Sequence, residues 1–275
     1  MQKTIWPNKD TKFFFSMATN PGNTGTKLHN TLFKILKLNN IYLPFKVKSN
    51  KSAKNIIQNL NFSGCSLSMP FKETLVSIVD RLDKSAAEIK SINTILKKNN
   101  KLIGYNTDYY AALKILKKIN INKNSEVLLL GFGGVSKAIL KALKDLKFKK
   151  IIVSARKKRN FDQLKISKNV KFCKWSDKNK LKPYLLINAT PLGMFGKNKA
   201  KSPVDEILLK NINVVYDLTI NSNKNILQKL CEKYRINYIS GIYSSYLQGI
   251  RQFEIYNNIK LSKKILNKIR TIIQK

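Results

Sequence analysis

Two polar clusters in the first half of the chain have the residue types that proton transfer needs. Ser66-Leu67-Ser68-Met69-Pro70-Phe71-Lys72 puts hydroxyls at a strand end and an amine in the first turn of the helix that Pro70 introduces. Asn106-Thr107-Asp108 opens the next helix with a carboxylate, where the N-terminal end of the helix dipole stabilises an anion. The cation of Lys72 meets that same positive end of its own helix, and a carboxylate nearby would oppose the effect. Such a competition suits a Lys that exchanges a proton with a substrate hydroxyl. Residue types alone leave two readings open: a working pair, or a helix cap and a surface Lys.

A third cluster could hold phosphates. Val127–Leu130 reads as a compact buried strand, and Gly131-Phe132-Gly133-Gly134 turns straight into an apolar-periodic helix over Val135–Leu146. Glycines let a backbone approach a pyrophosphate, and the unpaired N–H groups of a helix start point at it. Ser136 stands where a strict GxGxxG would have its third glycine. About 20 residues after such a turn, an NAD site places an acid against the ribose. Here the strand Ile151–Ala155 ends in Arg156-Lys157-Lys158-Arg159, with no acid. A guanidinium there suits the extra phosphate of NADP, and the alternative is a solvated basic loop. NADP is the preferred cofactor.

The elements that position these groups alternate between strand-like and helical periodicity, so the expected class is α/β. Strands are expected at Lys12–Ala18, Ile41–Val47, Phe62–Ser68, Ser91–Leu96, Leu102–Tyr105, Lys171–Trp175, Tyr184–Ala189 and Val214–Leu218, besides those above. Helices are expected at Lys27–Leu38, from Asp108 to about Lys118, and from Ser244 to Ile273. Two domains follow. An α/β substrate-binding domain takes residues 1–107 and is completed by C-terminal helices in 240–275. A Rossmann-like NADP-binding domain occupies 108–239.

Composition narrows the partners. With 53 Lys+Arg against 15 Asp+Glu the formal charge is +38, which favours anionic substrates and cofactors. The Lys residues are spread along the chain without a dense arm, and no zinc-finger or RNA-binding signature accompanies them, so a nucleic-acid role is not expected. Cys65, Cys173 and Cys231 form neither a CxxC pair nor a disulfide framework, as in a reducing cytosol. Cys65 is expected to pack as a small apolar side chain. His29 is the single histidine, so no His-based metal site or Ser–His triad is expected; a helix surface or cap is its expected place, with the cleft as the alternative. No long uncharged apolar run predicts a membrane span, and Met1–Asp10 lacks a secretory apolar core, so the expected location is cytoplasmic. Monomer and homodimer both stay open.

Taken together, the motifs resemble the shikimate dehydrogenase family. Gly64-Cys65-Ser66-Leu67-Ser68-Met69-Pro70-Phe71-Lys72-Glu73, Ser91-Ile92-Asn93-Thr94, Gly104-Tyr105-Asn106-Thr107-Asp108, the glycine turn, Asn188-Ala189-Thr190-Pro191-Leu192-Gly193-Met194 and the stretch Gly241 to Gln248 occur in the family's order. The resemblance runs from about Asn20 to Tyr256. It implies reversible, NADP-dependent hydride transfer between 3-dehydroshikimate and shikimate, with Lys72 and Asp108 as the catalytic pair. It implies Ser68, Asn93 and Gln248 as holders of the substrate's hydroxyls and carboxylate. Gly131, Gly133 and Gly134 match the pyrophosphate turn, Arg156 and Arg159 the basic clamp, and Asn188, Thr190, Gly193, Met194 and Gly241 the nicotinamide side.

Two stretches depart from the pattern. Where relatives carry a Ser-x-Ser pair for the substrate carboxylate, Thr24 and Thr26 are the only comparable hydroxyls in Asn20–Asn30. Where relatives have a Tyr-Pro element, this chain reads Leu218-Thr219-Ile220-Asn221. Both departures are similar to the shikimate-dehydrogenase-like branch. The alternatives are therefore an enzyme for quinate or another cyclic hydroxy acid, and a catalytically degenerate basic protein that binds nucleic acid.

Overall fold

Apolar runs dictate both halves of the molecule. In the computed structural model, which describes residues 7–156, 161, 168–194, 196–221 and 223–273, two six-stranded sheets each carry helices. The chain divides into two compact units, one of Met1–Thr107 with Leu247–Lys275 and one of Asp108–Tyr246.

The sheet of the first unit has the order β2-β1-β3-β5-β6-β4. Its strands are β1 (Lys12–Ala18), β2 (Asn40–Lys46), β3 (Gly64–Leu67), β4 (Arg81–Leu82), β5 (Thr94–Lys98) and β6 (Lys101–Tyr105). Alternation along β1 sets its two faces. Phe15 and Met17 enter a core with Ala53 and Ile57 of the helix Asn50–Asn59. Phe14 packs on Phe33 and Tyr256 instead. Gly64 has to be Gly, because a Cβ there would lie 2.5 Å from the Tyr256 ring. The antiparallel pair β5–β6 closes through Asn99-Asn100, both with positive φ (50° and 58°). Asn tolerates that region, and two such residues make the tight turn whose twist matches a hairpin.

His29 lies neither in a cap, nor on a helix surface, nor in a cleft. Its ring is fully buried on the inner face of the helix Thr24–Ile35, stacked on Tyr42 with centroids 4.3 Å apart. Burial lowers its pKa to about 3; the Gln252 side chain pulls slightly the other way without being placed for a hydrogen bond, so Nδ1 and Nε2 are unpartnered. The unfolded value is near 6.5, so between the two pH values the unfolded chain binds a proton that the folded chain refuses. Stability from this group is complete above about pH 6.5 and falls on acidification, by up to about 1.4 kcal/mol per pH unit. A His29→Phe variant is expected to unfold in urea with a flatter dependence between pH 6.5 and 4 than the parent. Parallel pH dependences for the two proteins would refute this account.

The second unit is built on an all-parallel sheet in the order β12-β11-β10-β7-β8-β9. Its strands are β7 (Glu126–Leu130), β8 (Lys150–Ala155), β9 (Val170–Lys174), β10 (Leu185–Asn188), β11 (Val214–Asp217) and β12 (Asn237–Ser240). Numbered from its own first strand this is 3-2-1-4-5-6 read from β9, the doubly wound Rossmann order, which reverses between β7 and β10. Such strands are covered on both faces, so they read as unbroken apolar runs: Val127, Leu128, Leu129 and Leu130 are all fully buried.

Most expected elements are present with shifted ends. The helix expected from Lys27 starts at Thr24, and the one expected from Val135 starts at Gly134. The C-terminal helical region begins at Gly241 and is two helices, Gly241–Asn257 and Lys263–Ile273. They are parted at Asn258, whose φ of 51° no helix accommodates. No helix among the described residues is long and apolar enough to cross a membrane.

Candidate active site

In the first unit, backbone hydrogen bonds hold the Ser66–Lys72 segment alongside Ser91–Thr94. Leu67 N donates to Asn93 O (2.8 Å), and Ile92 N donates to Lys72 O (2.8 Å). Lys72 is half-buried in a helix of one turn, Phe71–Thr74. That length corrects one premise: too few peptide dipoles are aligned there for a macrodipole to act on the amine. The Lys72 backbone is fixed through its carbonyl, tied to the Ser91–Asn93 segment that leads into β5.

Asn93 is buried and held at both ends of its amide. Its Oδ1 accepts from Thr107 N (2.8 Å), Thr107 Oγ1 (3.1 Å) and Thr94 Oγ1 (2.9 Å), and its Nδ2 donates to Gln248 Oε1 (3.3 Å). Thr107 Oγ1 also lies 3.2 Å from Gln248 Oε1. With its oxygen so occupied, Gln248 presents its amide N–H groups as the donors left over, on a half-buried side chain. Asn106 secures the turn, its Nδ2 donating to Ser91 O (2.8 Å). Asp108 follows Thr107 directly, in the first turn of the helix Thr107–Ile119. Ser68 is exposed at the end of β3, while Ser66 is buried between Tyr42 and Tyr256, 2.8 Å from each hydroxyl.

Thr24 and Thr26 lie in the first turn of the helix Thr24–Ile35. Thr24 is exposed; the Thr26 hydroxyl is buried and has no hydrogen-bond partner. Neither joins the Asn93–Thr107–Gln248 network among the described residues.

In the second unit the glycine turn sits at the point where the strand order reverses, the usual binding crevice of such sheets. Gly131 has φ +97°, and a Cβ on it would lie 2.9 Å from Ala189 O, so the turn is pressed against the end of β10. Gly133 is the N-cap of the helix Gly134–Asp145 with ordinary extended dihedrals, and a Cβ there would meet nothing within 4 Å. Open space in front of a helix N-terminus that lacks a side-chain cap is a cradle for an anion. Ser136, at the third glycine position, is buried with an unpartnered hydroxyl. Arg156 is exposed just past β8. Arg159 lies outside the described residues. These groups fit a dinucleotide phosphate.

Asn188, Thr190, Gly193 and Gly241 converge on a buried carboxylate. Asp217 ends β11 fully buried, and its Oδ1 accepts from Asn188 Nδ2 (3.0 Å) and Thr219 N (3.0 Å). Its Oδ2 accepts from Thr219 Oγ1 (2.9 Å), Asn225 Nδ2 (2.8 Å) and Tyr238 OH (2.9 Å). Asn188 Oδ1 in turn receives Thr190 Oγ1 (2.7 Å), and Asn221 Nδ2 donates to Gly193 O (2.9 Å). Gly241 must lack a Cβ, which would stand 2.5 Å from Thr219 O. Met194, 38% exposed, stands next to Gly193 outside this network.

Comparison with known proteins matches this arrangement to one family. The shikimate dehydrogenase substrate binding domain matches residues 24–95. A shikimate dehydrogenase-like protein of Haemophilus influenzae is 32% identical over 260 residues, 94% of this chain and 95% of that protein. The chain belongs to the shikimate dehydrogenase family. A shikimate dehydrogenase (NADP(+)) of Clostridium perfringens is 33% identical over 244 residues, covering 86% of this chain and 89% of the relative. The solved structure of a shikimate 5-dehydrogenase-like protein superposes with a TM-score of 0.84 at 31% identity, covering 98% of this chain and all of that one.

Within this shikimate dehydrogenase fold, the sequence motifs undervalued two residues. Thr107 is more than a helix start: its N–H donates to Asn93 Oδ1 while its hydroxyl lies within reach of Gln248 Oε1. Asp217, outside the sequence motifs, organises the end of β11. Its signal is an acid terminating an otherwise apolar strand, Val214-Val215-Tyr216-Asp217. Five neutral donors and no cation surround it among the hydrogen bonds of the described residues, so removing the carboxylate strands buried donors. Asp217→Ala is expected to cost at least about 3 kcal/mol in chemical denaturation. A loss below about 1 kcal/mol would show that water replaces the carboxylate.

Proposed function

We propose that this chain is an NADP-dependent oxidoreductase that interconverts 3-dehydroshikimate and shikimate. The observation that carries this reading is the Asn93–Thr107–Gln248 network, fixed beside the Lys72 backbone in a member of this family. A ring acid with several hydroxyls needs donors and acceptors that are already oriented, and Asn93 and Thr107 fix Gln248 through its amide oxygen, which leaves its N–H groups as donors. Ser68, Asn93 and Gln248 would then bind hydroxyls and carboxylate, with Thr24 and Thr26 in place of the Ser pair.

Bound NADP supplies the hydride acceptor. Gly131, Gly133 and Gly134 would hold its pyrophosphate, Arg156 and Arg159 its extra phosphate, and Asn188, Thr190, Gly193, Met194 and Gly241 its nicotinamide end. Lys72 and Asp108 handle the proton of the reacting hydroxyl: the pair takes it as the alcohol is oxidised and returns it in the reverse direction. The relative from Clostridium perfringens carries NADP(+) in its name, in agreement with Arg156 and the missing acid after β8.

A second reading concerns the substrate. After β11 no aromatic side chain follows; Thr219 turns back on Asp217, and Ile220 is 40% exposed. That departure favours a ring acid other than shikimate, such as quinate, on the same machinery. Nicotinamide absorbance on mixing the protein with NADP and shikimate, then quinate, separates the readings. Faster turnover of shikimate is expected, and exclusive turnover of quinate would transfer the assignment. Inertness towards both, with NADP bound, would reject both substrates.

A further inference from the structure

The first unit carries a groove that the catalytic reading leaves unused. Along its sheet, Gly64, Leu96, Ile103 and Arg81 are consecutive cross-strand partners on β3, β5, β6 and β4. Over β3 the row is closed by Tyr256, packed onto Gly64. Over β5 and β6 it opens into a groove of about 780 Å³, lined by Leu96, Ile103 and the Tyr105 ring. Neither Ser68, Lys72, Asn93 nor Gln248 lines it.

Cations surround those apolar side chains. Lys12, Arg81, Lys97, Lys98, Arg251 and Lys260 all line the groove, against the single acid Glu254. Glu254 is already neutralised: its Oε2 accepts from Arg251 Nη1 (3.1 Å) and Lys260 Nζ (3.0 Å), and its Oε1 from Leu261 N (3.3 Å). It therefore fixes two of the cations in place. The Lys97 ammonium lies over the Phe62 ring on the other face of the sheet, while Lys12, Arg81 and Lys98 form no ion pair among the described residues, so their mutual repulsion is not offset by one. Binding an anion would relieve it. The volume is that of a small-molecule site, which rules against a long polymer track as its main occupant.

We propose that this groove binds a phosphorylated small molecule of nucleotide size, its apolar body on Leu96, Ile103 and Tyr105 and its phosphates on the Arg81 and Lys98 side. Charge complementarity and the mixed lining select this class; an uncharged ligand would leave the cations unpaired, and a bare ion would leave the apolar wall wet.

ADP is the probe, titrated calorimetrically into the full chain. The glycine cradle of the second unit also takes phosphates, so two ADP molecules per chain are expected. Arg81→Glu with Lys98→Glu should abolish one of them or weaken it at least tenfold, while Gly133→Asp should remove the other. Lys171→Glu with Lys229→Glu, exposed positions in the second unit with the same change in charge, should keep both. Unfolding curves for each variant confirm that the exposed substitutions leave the fold intact. The proposal fails if ADP binding disappears entirely in Gly133→Asp. It fails equally if both charge reversals weaken ADP alike, or if the wild-type chain takes up no second ADP.

Discussion

Lys72→Ala is expected to lower kcat by about 10²–10⁴, the usual contribution of a positioned acid–base group, while KM for the ring acid changes far less. The argument rests on what the substitution leaves behind. The Lys72 carbonyl still accepts from Ile92 N, so the Ser66–Lys72 segment stays beside Asn93. The side chain is only half-buried, so its loss opens no core cavity and the unfolding midpoint should barely move. Asp108→Asn keeps the shape of a helix-start side chain and removes its charge; a comparable fall in kcat is expected if the two act as a unit. Steady-state absorbance at saturating NADP reads both variants. A fall of less than tenfold in Lys72→Ala would take proton transfer away from Lys72 and leave it a binding role.

The second large effect separates two glycines that look alike in sequence. Gly133→Asp puts a good N-cap residue where the dihedrals are ordinary and a Cβ has open space, so folding stability should hold or rise slightly. The same carboxylate occupies the place proposed for the pyrophosphate. Repulsion between unit charges about 4 Å apart near a protein surface is on the order of 4 kcal/mol, so affinity for NADP should fall by roughly 10²–10³. Gly131→Ala should behave in the opposite way. At φ +97° and 2.9 Å from Ala189 O, its added methyl strains the turn and lowers stability first. Fluorescence titration of NADP together with thermal unfolding distinguishes them. Unchanged NADP binding in Gly133→Asp would mean that the open space at the N-cap is not the cofactor's.

Much of this protein was legible in its sequence because the signals are local. Strand runs such as Val127–Leu130, the glycines before an apolar-periodic helix, and the basic residues after the next strand each depend on neighbours a few positions away. Element identity and the reading of NADP over NAD follow from such short-range chemistry. Element ends were less legible: Asn258 breaks the C-terminal helical region through a backbone conformation that its side chain merely permits.

The tertiary structure decided whatever depends on partners distant in sequence. His29 sits on a helix whose periodicity cannot say that Tyr42 and Phe253 will enclose it, and their enclosure, not the residue type, keeps it neutral. Thr107 became part of the site only when β6 delivered it to Asn93 and the last long helix brought Gln248 to both. Asp217 meets Asn188 because β10 and β11 are neighbours in a parallel sheet, an adjacency that no local pattern encodes. The groove cations, spread from Lys12 to Lys260, are scattered along the chain and meet only because β1, β4 and β5 belong to one sheet and the end of the last long helix lies against it. Residue type and short spacing thus determined which chemistry was available, and long-range strand pairing decided which of those groups work together.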